Sequence, residues 1–349
     1  MHTPAIATTW DHSAYSVYQL SNSQQTKILI SDYGASIVEL WNCDSAGQLG
    51  NIVLGYPHLQ DYQQHNCYLG AVVGPWANRI KDGRFNLDGR QIQLECNQGS
   101  NHLHGASAGF QRKLWSVIEH SPSILRMKLQ TTPTEAGFAA TIDVTVSFIL
   151  DEQNRLTIDY QASTDLATPI NLTNHSYFNL NPKAQNIWQH QLQIAADSYL
   201  ATDATGIPCA EYPVDNSHFD FRQLRSLDSL GTQRNIDHCL CLNRQRQHKT
   251  EHAMYFAAYL AEPESGRSVS IETTEVGLQL YTGQHLKEFT DRLGRKCGAN
   301  SGLCLETQAY PDAVNGLDQE SVILRPGHIY RQTSRYQFNP PLLLADNLH

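Results

Sequence analysis

Apolar and polar residues alternate with a period of two along much of the chain, and this pattern constrains the fold more than any other feature. In the clearest run, every second position is apolar: Ile142, Val144, Val146, Phe148 and Leu150. The spacing returns at Leu156, Ile158 and Tyr160, after a polar break at 151–154. Alternation of this kind, interrupted by polar residues, predicts a β-hairpin with one buried face.

Other segments show the same strand pattern. Phe85 and Leu87 lead into Asp88-Gly89, and Ile92 and Leu94 follow. Asp-Gly between alternating apolar residues is a strong signal for a two-residue hairpin turn. Further strands are predicted at 26–41, 51–55, 123–129, 269–273, 277–282 and 321–331. Helical patterns are few and short, near 59–67 and 221–230, and no β-α-β alternation is visible.

Many strands punctuated by turns predict an all-β fold, a large antiparallel β-sandwich with a few short helices. The 349 residues could form two average domains, although large sandwiches also occur as one unit. No internal repeat and no Pro/Gly/Ser-rich linker divides the sequence. We therefore predict a single β-sandwich domain over residues 1–349.

The charge balance limits the classes of partner. The formal net charge is -9, with 40% hydrophobic and 17% charged residues, which is ordinary for a globular protein. A net-acidic surface does not attract nucleic acid or an anionic membrane, so we expect neither as a partner. No run of 18 apolar residues indicates a membrane span.

The eight cysteines are dispersed, and a chain of this size does not need disulfides to fold. Cys239-x-Cys241 is weak evidence for a metal site, so we expect reduced thiols that act as small hydrophobes. The first twenty residues lack the basic and apolar regions of a signal peptide. Together these features predict a cytoplasmic protein.

Two polar segments come early in the chain. In Ala77-Asn78-Arg79-Ile80, the arginine could equally be a structural ion-pair partner or a binding residue. In Asn101-His102-Leu103-His104-Gly105, His-x-His could bind Zn²⁺ if a further ligand were present. No such ligand is identifiable, and a histidine satisfied by backbone groups in a turn is the commoner case.

The segment 171–180, with the sequence Asn-Leu-Thr-Asn-His-Ser-Tyr-Phe-Asn-Leu, is the most unusual. If it is extended, every second residue shares a face, which aligns four polar side chains: Thr173, His175, Tyr177 and Asn179. Phe178 and Leu180 then point into the core. A whole face of hydrogen-bonding groups is costly to bury unless a ligand or water meets it, which favours a binding site.

Three later polar residues complete the candidate set. Asp237 lies in Asn235-Ile236-Asp237-His238, where it could also be a turn cap. Gln279 lies among leucines in 277–283, and Glu306 lies between Leu305 and Thr307. A glutamate at a core-like position is rarely buried without a role, so Glu306 is the best general-base candidate.

In order and spacing, these motifs resemble those of the aldose 1-epimerase family, over roughly residues 26–338. The matching segments are Asp32-Tyr33-Gly34-Ala35, 77–80, 103–105, 174–180, Gln279-x-Tyr281-Thr282-Gly283 and Glu306-Thr307-Gln308-x-x-Pro311-Asp312-Ala313-Val314-Asn315. The match departs at Pro75-Trp76, where the family often has an arginine and an aromatic residue. Pro75 fixes φ and removes a backbone donor, which could reshape the loop at the cleft edge.

The resemblance implies a supersandwich fold with a sugar in an open cleft on its concave sheet. It implies that His175 is the general acid and Glu306 the general base. It also implies that four residues hold the sugar hydroxyls or ring oxygen, with Asn78 supporting them: Arg79, His104, Asp237 and Gln279.

The implied reaction interconverts the α and β anomers of free aldohexoses such as glucose and galactose. Ring opening takes a proton from the C1 hydroxyl and gives one to the ring oxygen. A glutamate of pKa about 4.3 and a histidine of pKa about 6.5 suit these two tasks near neutral pH. The reaction needs no metal, and no nucleotide-binding loop is present, so we predict no cofactor. We expect a monosaccharide partner and a monomer or weak homodimer.

Three alternatives compete with this interpretation. A hexose-6-phosphate mutarotase would need a cluster of cations for the phosphate, and Arg79 alone is not a cluster. A non-catalytic carbohydrate-binding module would share the polar cleft but needs no acid–base pair. A glycoside hydrolase would need two carboxylates, and the motifs offer no obvious partner for Glu306.

Overall fold

Antiparallel strands form almost all the regular structure of residues 15–243 and 254–339, the part of the chain that the computed structural model describes. In chain order the first strands are β1 (Val17–Ser21), β2 (Lys27–Ser31), β3 (Ser36–Cys43), β4 (Leu49–Asn51), β5 (Val72–Val73), β6 (Arg79–Ile80), β7 (Arg84–Leu87), β8 (Arg90–Gln93), β9 (His102–Leu103), β10 (Ser116–His120), β11 (Ile124–Gln130), β12 (Ile142–Leu150), β13 (Arg155–Thr164), β14 (Thr168–Pro169) and β15 (Thr173–Asn174). The later strands are β16 (Tyr177–Phe178), β17 (Gln191–Ile194), β18 (Ala196–Thr202), β19 (Pro208–Pro213), β20 (Arg225–Ser226), β21 (Asp237–Leu242), β22 (Tyr255–Glu262), β23 (Arg267–Thr273), β24 (Gly277–Tyr281), β25 (Phe289–Thr290), β26 (Lys296–Cys297), β27 (Leu303–Gln308), β28 (Ile323–Leu324) and β29 (Tyr330–Phe338).

Helices in the described residues are short, as the sequence predicts. The α-helix is α1 (Asp61–Gln64). The 3₁₀ segments are Lys81–Gly83, Ala106–Ala108, Phe110–Arg112, Glu135–Gly137, Leu227–Leu230, Ala313–Asn315 and Gln319–Val322. Within the described ranges, no helix is long and apolar enough to cross a membrane.

Two large sheets dominate the architecture. A nine-stranded sheet has the order β10-β11-β12-β13-β29-β23-β22-β17-β20, and a six-stranded sheet has the order β16-β27-β24-β21-β18-β19. A four-stranded sheet, β1-β2-β3-β4, and several two-stranded pairs complete the fold. The predicted all-β, antiparallel sandwich is therefore confirmed. The single domain over residues 1–349 stays a prediction, because residues 1–14, 244–253 and 340–349 lie outside the described part.

Both hairpins predicted from alternation are present. β12 pairs with β13 from Ile142↔Thr164 to Leu150↔Leu156. β7 pairs with β8 around Asp88 and Gly89, whose φ angles are +49° and +75°. Positive φ at both central residues is what a type I′ turn requires, and this turn matches the right-handed twist of the strands.

Three of these predicted strands differ from those observed, two of them at a turn. Segment 26–41 is split into β2 and β3 by Gly34 and Ala35, which both have positive φ. Segment 321–331 is interrupted at Gly327, with φ +82°, so only β28 and the start of β29 are extended there. Beyond Asn51, segment 51–55 pairs through an isolated bridge, Val53↔Phe178.

The main hydrophobic core contains residues of both large sheets. From the nine-stranded sheet it takes Val144, Val146 and Phe148, and from the six-stranded sheet it takes Leu278, Leu280, Leu303 and Leu305. Full burial of such side chains stabilises the fold by about 1.5–3 kcal/mol each. Because side chains alternate along a strand, burying these leucines turns the residues between them to the opposite face of β24 and β27.

All eight cysteines lie in the described part of the chain and none forms a disulfide there. Four are buried, as expected for thiols that act as hydrophobes: Cys239, Cys241, Cys297 and Cys304. Cys96 and Cys209 are exposed, and Cys43 and Cys67 are half-buried. The prediction about the N-terminal signal region concerns residues of which most lie outside the described part.

Candidate active site

A cavity of about 460 Å³ lies beside the six-stranded sheet. Its buried floor is formed by polar and aromatic side chains, namely Asn78, His104, His175, Tyr177, Gln279 and Glu306. Its exposed rim is polar and includes Asn66, Glu95, Asn97, Gln98, Ser107, Arg112 and His285. The cavity is therefore open to solvent, and most of the side chains that line it can form hydrogen bonds.

The seven site residues predicted from the sequence all line this cavity: Asn78, Arg79, His104, His175, Asp237, Gln279 and Glu306. They come from segments far apart in sequence. Asn78 and Arg79 lie at the start of β6, His104 follows β9, and His175 lies between β15 and β16. The other three lie on neighbouring strands β21, β24 and β27.

Strand register aligns the carboxylates of the site with Gln279. On β24, Gln279 is directly opposite Glu306 of β27. On the other side, β21 pairs with β24 so that the side-chain amide of Gln279 donates a 2.7 Å hydrogen bond to Oδ1 of Asp237. Asp237 is thus a second carboxylate in the cavity, which the sequence argument against a hydrolase had not identified.

His175 and Glu306 form the chemical centre of the cavity floor. Nε2 of His175 lies 3.6 Å from Oε1 of Glu306, and the residues are 4% and 2% exposed. Oε2 of Glu306 is buried, and it has no hydrogen-bond partner within the described residues. Such an atom is costly to bury, so the carboxylate is set up for a partner that enters through the open mouth.

Burial shifts both members of this pair away from their charged forms. It lowers the pKa of His175 to about 4, against a small opposing effect of its backbone and of Asp237. It also raises the pKa of Glu306 well above its ordinary value, as does the negative charge of Asp237, while Arg79 acts in the opposite direction. The ordinary pKa values expected from the sequence therefore do not apply, because removing a charge from water disfavours it.

The strand predicted at 171–180 is broken at His175 and Ser176. Thr173 and Asn174 pair with β5, whereas Tyr177 and Phe178 pair with β27. Tyr177 joins His175 in the cavity, and Phe178 and Leu180 lie in the core, as predicted. Thr173 and Asn179 do not line the cavity: the Asn179 amide donates to the Ser301 carbonyl instead, at 2.8 Å.

Aromatic rings fix the plane of the His175 imidazole. Its centroid lies 5.1 Å from that of Tyr177 and 5.5 Å from that of Tyr68, with interplanar angles of 32° and 30°. The ring of His104 meets it edge-on at 5.6 Å. The imidazole therefore contacts two tyrosine rings and one histidine ring, and its Nε2 faces Glu306.

His104 has a defined hydrogen-bonding role. The backbone N–H of Asn78 donates to its Nδ1 at 3.1 Å, so the neutral ring carries its proton on Nε2. Burial, followed by the positive charges of His175 and Arg79, lowers the pKa of His104 well below its ordinary value. A neutral His104 thus offers Nε2–H as a donor to a ligand.

The two histidines of the His-x-His motif do not share a site. Nδ1 of His102 contacts the Glu95 carbonyl at 2.8 Å, and its ring packs edge-on against Phe138. His104 instead clusters with His175 and Glu306, and their donor atoms lie within 4.8 Å of one another. These three groups are where the described residues could accommodate a metal ion. They equally suit proton transfer between oxygen atoms, which needs no metal.

Arg79 closes one side of the cavity. Its Nε donates to Oε1 of Gln98 at 2.6 Å, and its Nη2 lies 3.7 Å from Oδ2 of Asp237. The side chain of Asn78 accepts from the Arg79 backbone N–H at 2.8 Å. Arg79 is thus both an ion-pair partner and a cavity residue. The sequence alone left these two interpretations open.

Several cavity residues were not predicted from the sequence. Tyr68 and Gln98 come from irregular segments between strands, and Arg112 ends the 3₁₀ segment Phe110–Arg112. No periodicity marks a functional face in such segments. Arg112 adds a second guanidinium at the rim, hydrogen-bonded to Oδ1 of Asn66 at 2.6 Å. Pro75, where the motif departs from the family pattern, is not among the lining residues.

Comparison with known proteins identifies the family of this chain. The family model for aldose 1-epimerase matches residues 16–337. The chain belongs to the aldose 1-epimerase family. Galactose mutarotase from Mus musculus is 37% identical to this family member over 333 residues, which are 92% of this chain and 93% of the relative. Aldose 1-epimerase from Escherichia coli (strain K12) is 31% identical over 346 residues, 96% of this chain and 98% of the relative.

Solved structures of the epimerase family have the same fold. An aldose epimerase homologue from C. elegans superposes with a TM-score of 0.87 at 27% identity, covering 93% of this chain and 99% of that one. Galactose 1-epimerase from Lactobacillus acidophilus NCFM gives 0.80 at 25% identity, covering 95% and 96%. The supersandwich expected from the motif resemblance is therefore the fold of this epimerase-family chain.

Proposed function

We propose that this protein interconverts the α and β anomers of free aldohexoses such as galactose and glucose, by acid–base opening and closure of the sugar ring. The observation that carries the proposal is the His175–Glu306 pair, 3.6 Å apart in the floor of an open polar cavity. Family membership supports the same reaction.

The two residues carry out complementary proton transfers. The C1 hydroxyl gives its proton to the Glu306 carboxylate, while Nε2 of protonated His175 gives a proton to the ring oxygen. The bond from C1 to the ring oxygen breaks as C1 becomes a carbonyl carbon. After rotation about C1–C2, the same transfers run in reverse and close the ring on the other face. The pair holds one proton at each stage, so the enzyme is regenerated.

The shifted pKa values favour this exchange. In water, a histidine and a glutamate sharing one proton exist mainly as an ion pair. Burial acts against both charges and therefore lowers the energy of the neutral pair relative to the ion pair. The ion pair and the neutral pair are the states of the enzyme before and after ring opening. Proton transfer is most efficient when the pKa values of the donor and the acceptor are similar.

The remaining polar residues are assigned to sugar binding. Arg79 and the Nε2–H of His104 donate to hydroxyl or ring oxygens, and Asp237 accepts from a hydroxyl. Gln279, whose side-chain oxygen is buried without a partner in the described structure, accepts a further hydroxyl hydrogen bond. Asn78 supports Arg79 and His104 through its backbone and side chain.

The alternatives are less well supported. A phosphate pocket requires uncommitted cations, but Arg79 is already paired with Asp237 and Gln98, and Arg112 lies exposed at the rim. A hydrolase needs one carboxylate free for each task, whereas Asp237 is engaged by Gln279 and Arg79. A simple binding module would have no use for a buried acid–base pair.

Polarimetry tests the proposal. Freshly dissolved α-galactose and α-glucose should approach their equilibrium rotation faster with the protein than in buffer, and α-glucose 6-phosphate should show little acceleration. Acceleration of the phosphate alone would replace the proposal with a hexose-phosphate mutarotase. Sugar binding without any acceleration would instead support a binding module.

We also propose a cellular location and an oligomeric state for the protein. Unpaired cysteines are typical of a reducing compartment, which supports a cytoplasmic protein. A monomer or weak homodimer remains our expectation for the assembly, and sedimentation velocity would test it.

A further inference from the structure

Cys304 contacts the imidazole of His175 on the side away from the cavity. Its Sγ lies 3.5 Å from Nδ1 of His175, and the residue is 0% exposed. It is not among the cavity-lining residues, so it does not reach a bound sugar. Any effect of Cys304 on the reaction must therefore pass through the imidazole.

One strand contacts both nitrogens of that imidazole. Cys304 and Glu306 are two residues apart on β27 and so point to the same face. Sγ of Cys304 meets Nδ1, and Oε1 of Glu306 meets Nε2. The two ring nitrogens therefore have different surroundings. Nε2, the reactive nitrogen, faces the cavity, and Nδ1 faces a buried thiol.

We propose that Cys304 is a positioning residue whose sulfur accepts the Nδ1–H of His175, so that Nε2 alone exchanges a proton with the sugar. This inference rests on the proposed acid–base function. Cys304 itself gains and loses no proton during the cycle.

The direction of this hydrogen bond follows from which nitrogen of His175 carries a proton in each state. When His175 is protonated, both nitrogens carry hydrogen, so Nδ1–H can only donate and the sulfur can only accept. When His175 is neutral it must take a proton at Nε2 during ring closure, which requires that Nδ1 keep its own. A sulfur acceptor serves both states without reorganisation, as a preorganised group in an active site should.

The chemistry of the thiol agrees with this role. Burial, followed by the negative charges of Glu306 and Asp237, raises the pKa of Cys304 well above its ordinary value, so the group stays a neutral thiol. Thiol sulfur is a weak acceptor. It orients the imidazole without supplying the negative charge by which a carboxylate in the same position would stabilise the protonated form.

Nitrogen NMR of histidine-labelled protein tests the proposal directly, with His175→Asn used to assign the resonances. At neutral pH we expect Nδ1 of His175 to carry the proton and Nε2 to be unprotonated. In Cys304→Ala, a mixture of both tautomers should replace this single form. If Nε2 carries a proton in the native protein while Nδ1 carries none, the thiol is the donor and the proposal is wrong.

Kinetics supply the second readout. Cys304→Ala should lower kcat about tenfold, part of the ~10²–10⁴ that positioned proton transfer contributes, with KM unchanged. Cys304→Ser, which keeps an acceptor, should recover much of this loss. The matched control is Cys297→Ala, since Cys297 is buried in the same hydrophobic cluster and its thiol contacts the Arg295 carbonyl, at 3.7 Å, instead of the imidazole.

The outcomes separate the two proposals. Equal kcat values for Cys304→Ala and Cys297→Ala would overturn the positioning role. If the native protein does not accelerate mutarotation, the proposed function fails, yet the NMR measurement still decides whether Cys304 sets the tautomer of His175.

Discussion

Nε2 of His175 and Oε1 of Glu306 lie 3.6 Å apart in the cavity floor, although one residue lies in a break between two short strands and the other on a regular strand. Each is almost fully buried. Burial lowers the pKa of His175 and raises that of Glu306, and both shifts favour the neutral form of the side chain. The pair can therefore hold a single proton on either member, which is what ring opening and closure require.

Glu306→Gln should abolish this exchange while leaving sugar binding. The amide keeps the size of the side chain and its place opposite Gln279 but cannot take the proton of the C1 hydroxyl. We expect kcat to fall by about 10²–10⁴-fold, measured by polarimetry, and galactose still to bind in calorimetry.

Glu95→Gln is the matched control for that substitution. Glu95 lines the rim of the same cavity and is hydrogen-bonded to Ser107. It should keep nearly native kcat, because its carboxylate is hydrogen-bonded to Ser107 and has no role in the proposed proton transfers. An equal loss in both variants would show that charge in the cavity matters and that Glu306 has no special role.

The dependence of kcat/KM on pH should reflect burial of the pair. Its active form carries one proton, and a second is added only when His175 is protonated beside protonated Glu306. Burial lowers the pKa of His175 to about 4, so activity should persist from neutral pH down to about pH 5 and decline near pH 4. An acid limb near pH 6.5, in protein that circular dichroism shows to be folded, would contradict this assignment.

Asp237→Asn should move the other limb of the same profile. The negative charge of Asp237 raises the pKa of Glu306, so removing it should lower that pKa. The pair would then lose its single proton at lower pH, and the alkaline limb of kcat/KM should shift to lower pH. A shift in the opposite direction would argue against coupling between the two carboxylates. KM should also rise, because Asp237 holds Gln279 and Arg79.

The regular strands of the fold were predictable from the sequence because their two faces differ in polarity. β12, β13 and the leucines of β24 and β27 all show this alternation, and register then places Gln279 opposite Glu306. The breaks in predicted strands were not predictable from period alone, since they depend on local φ values such as those of Gly34 and Ala35.

The same difference separates the site residues that were predictable from the sequence from those that were not. His175, Gln279 and Glu306 were identifiable as polar residues where a strand should be apolar. Tyr68 and Gln98 lie on irregular segments and Arg112 on a short 3₁₀ segment, where polar residues are ordinary and carry no such signal. The pKa shifts were also beyond the sequence, because they arise from burial by segments remote in the chain.

Gly206→Ala should weaken sugar binding through Arg79. Gly206 has φ +82°, and a Cβ there would lie 2.8 Å from Cζ of Arg79, so the guanidinium would have to move. A hydrogen bond to a charged group is worth about 1.5–3 kcal/mol, so kcat/KM should fall by up to roughly 10- to 100-fold, mainly through KM. Gly99→Ala is the control, because Gly99 also has positive φ but, apart from its two chain neighbours, no described residue lies within 4 Å of where its Cβ would be. If the two variants lose the same activity, backbone strain and not Arg79 is responsible.

His190 should make the stability of the fold sensitive to acid. Its Nε2 accepts the backbone N–H of Leu180 at 2.9 Å, and its Nδ1 contacts the Ile187 carbonyl at 3.1 Å. The neutral ring satisfies both contacts, whereas a protonated ring would lose the first. Burial accordingly lowers the pKa of His190 to about 4.

The sign of the effect follows from proton binding. Between about pH 6.5 and pH 4 the unfolded chain binds a proton at His190 that the folded protein does not, so the free energy of unfolding falls as the pH falls through this window. At about 1.4 kcal/mol per pKa unit, the contribution is up to roughly 3 kcal/mol. Urea unfolding at pH 7 and pH 4.5 should show a smaller pH-dependent loss for His190→Gln than for the native protein. Substitution of the exposed His328 by Gln should leave the loss unchanged, and equal losses in all three proteins would exclude His190 as a source of acid sensitivity.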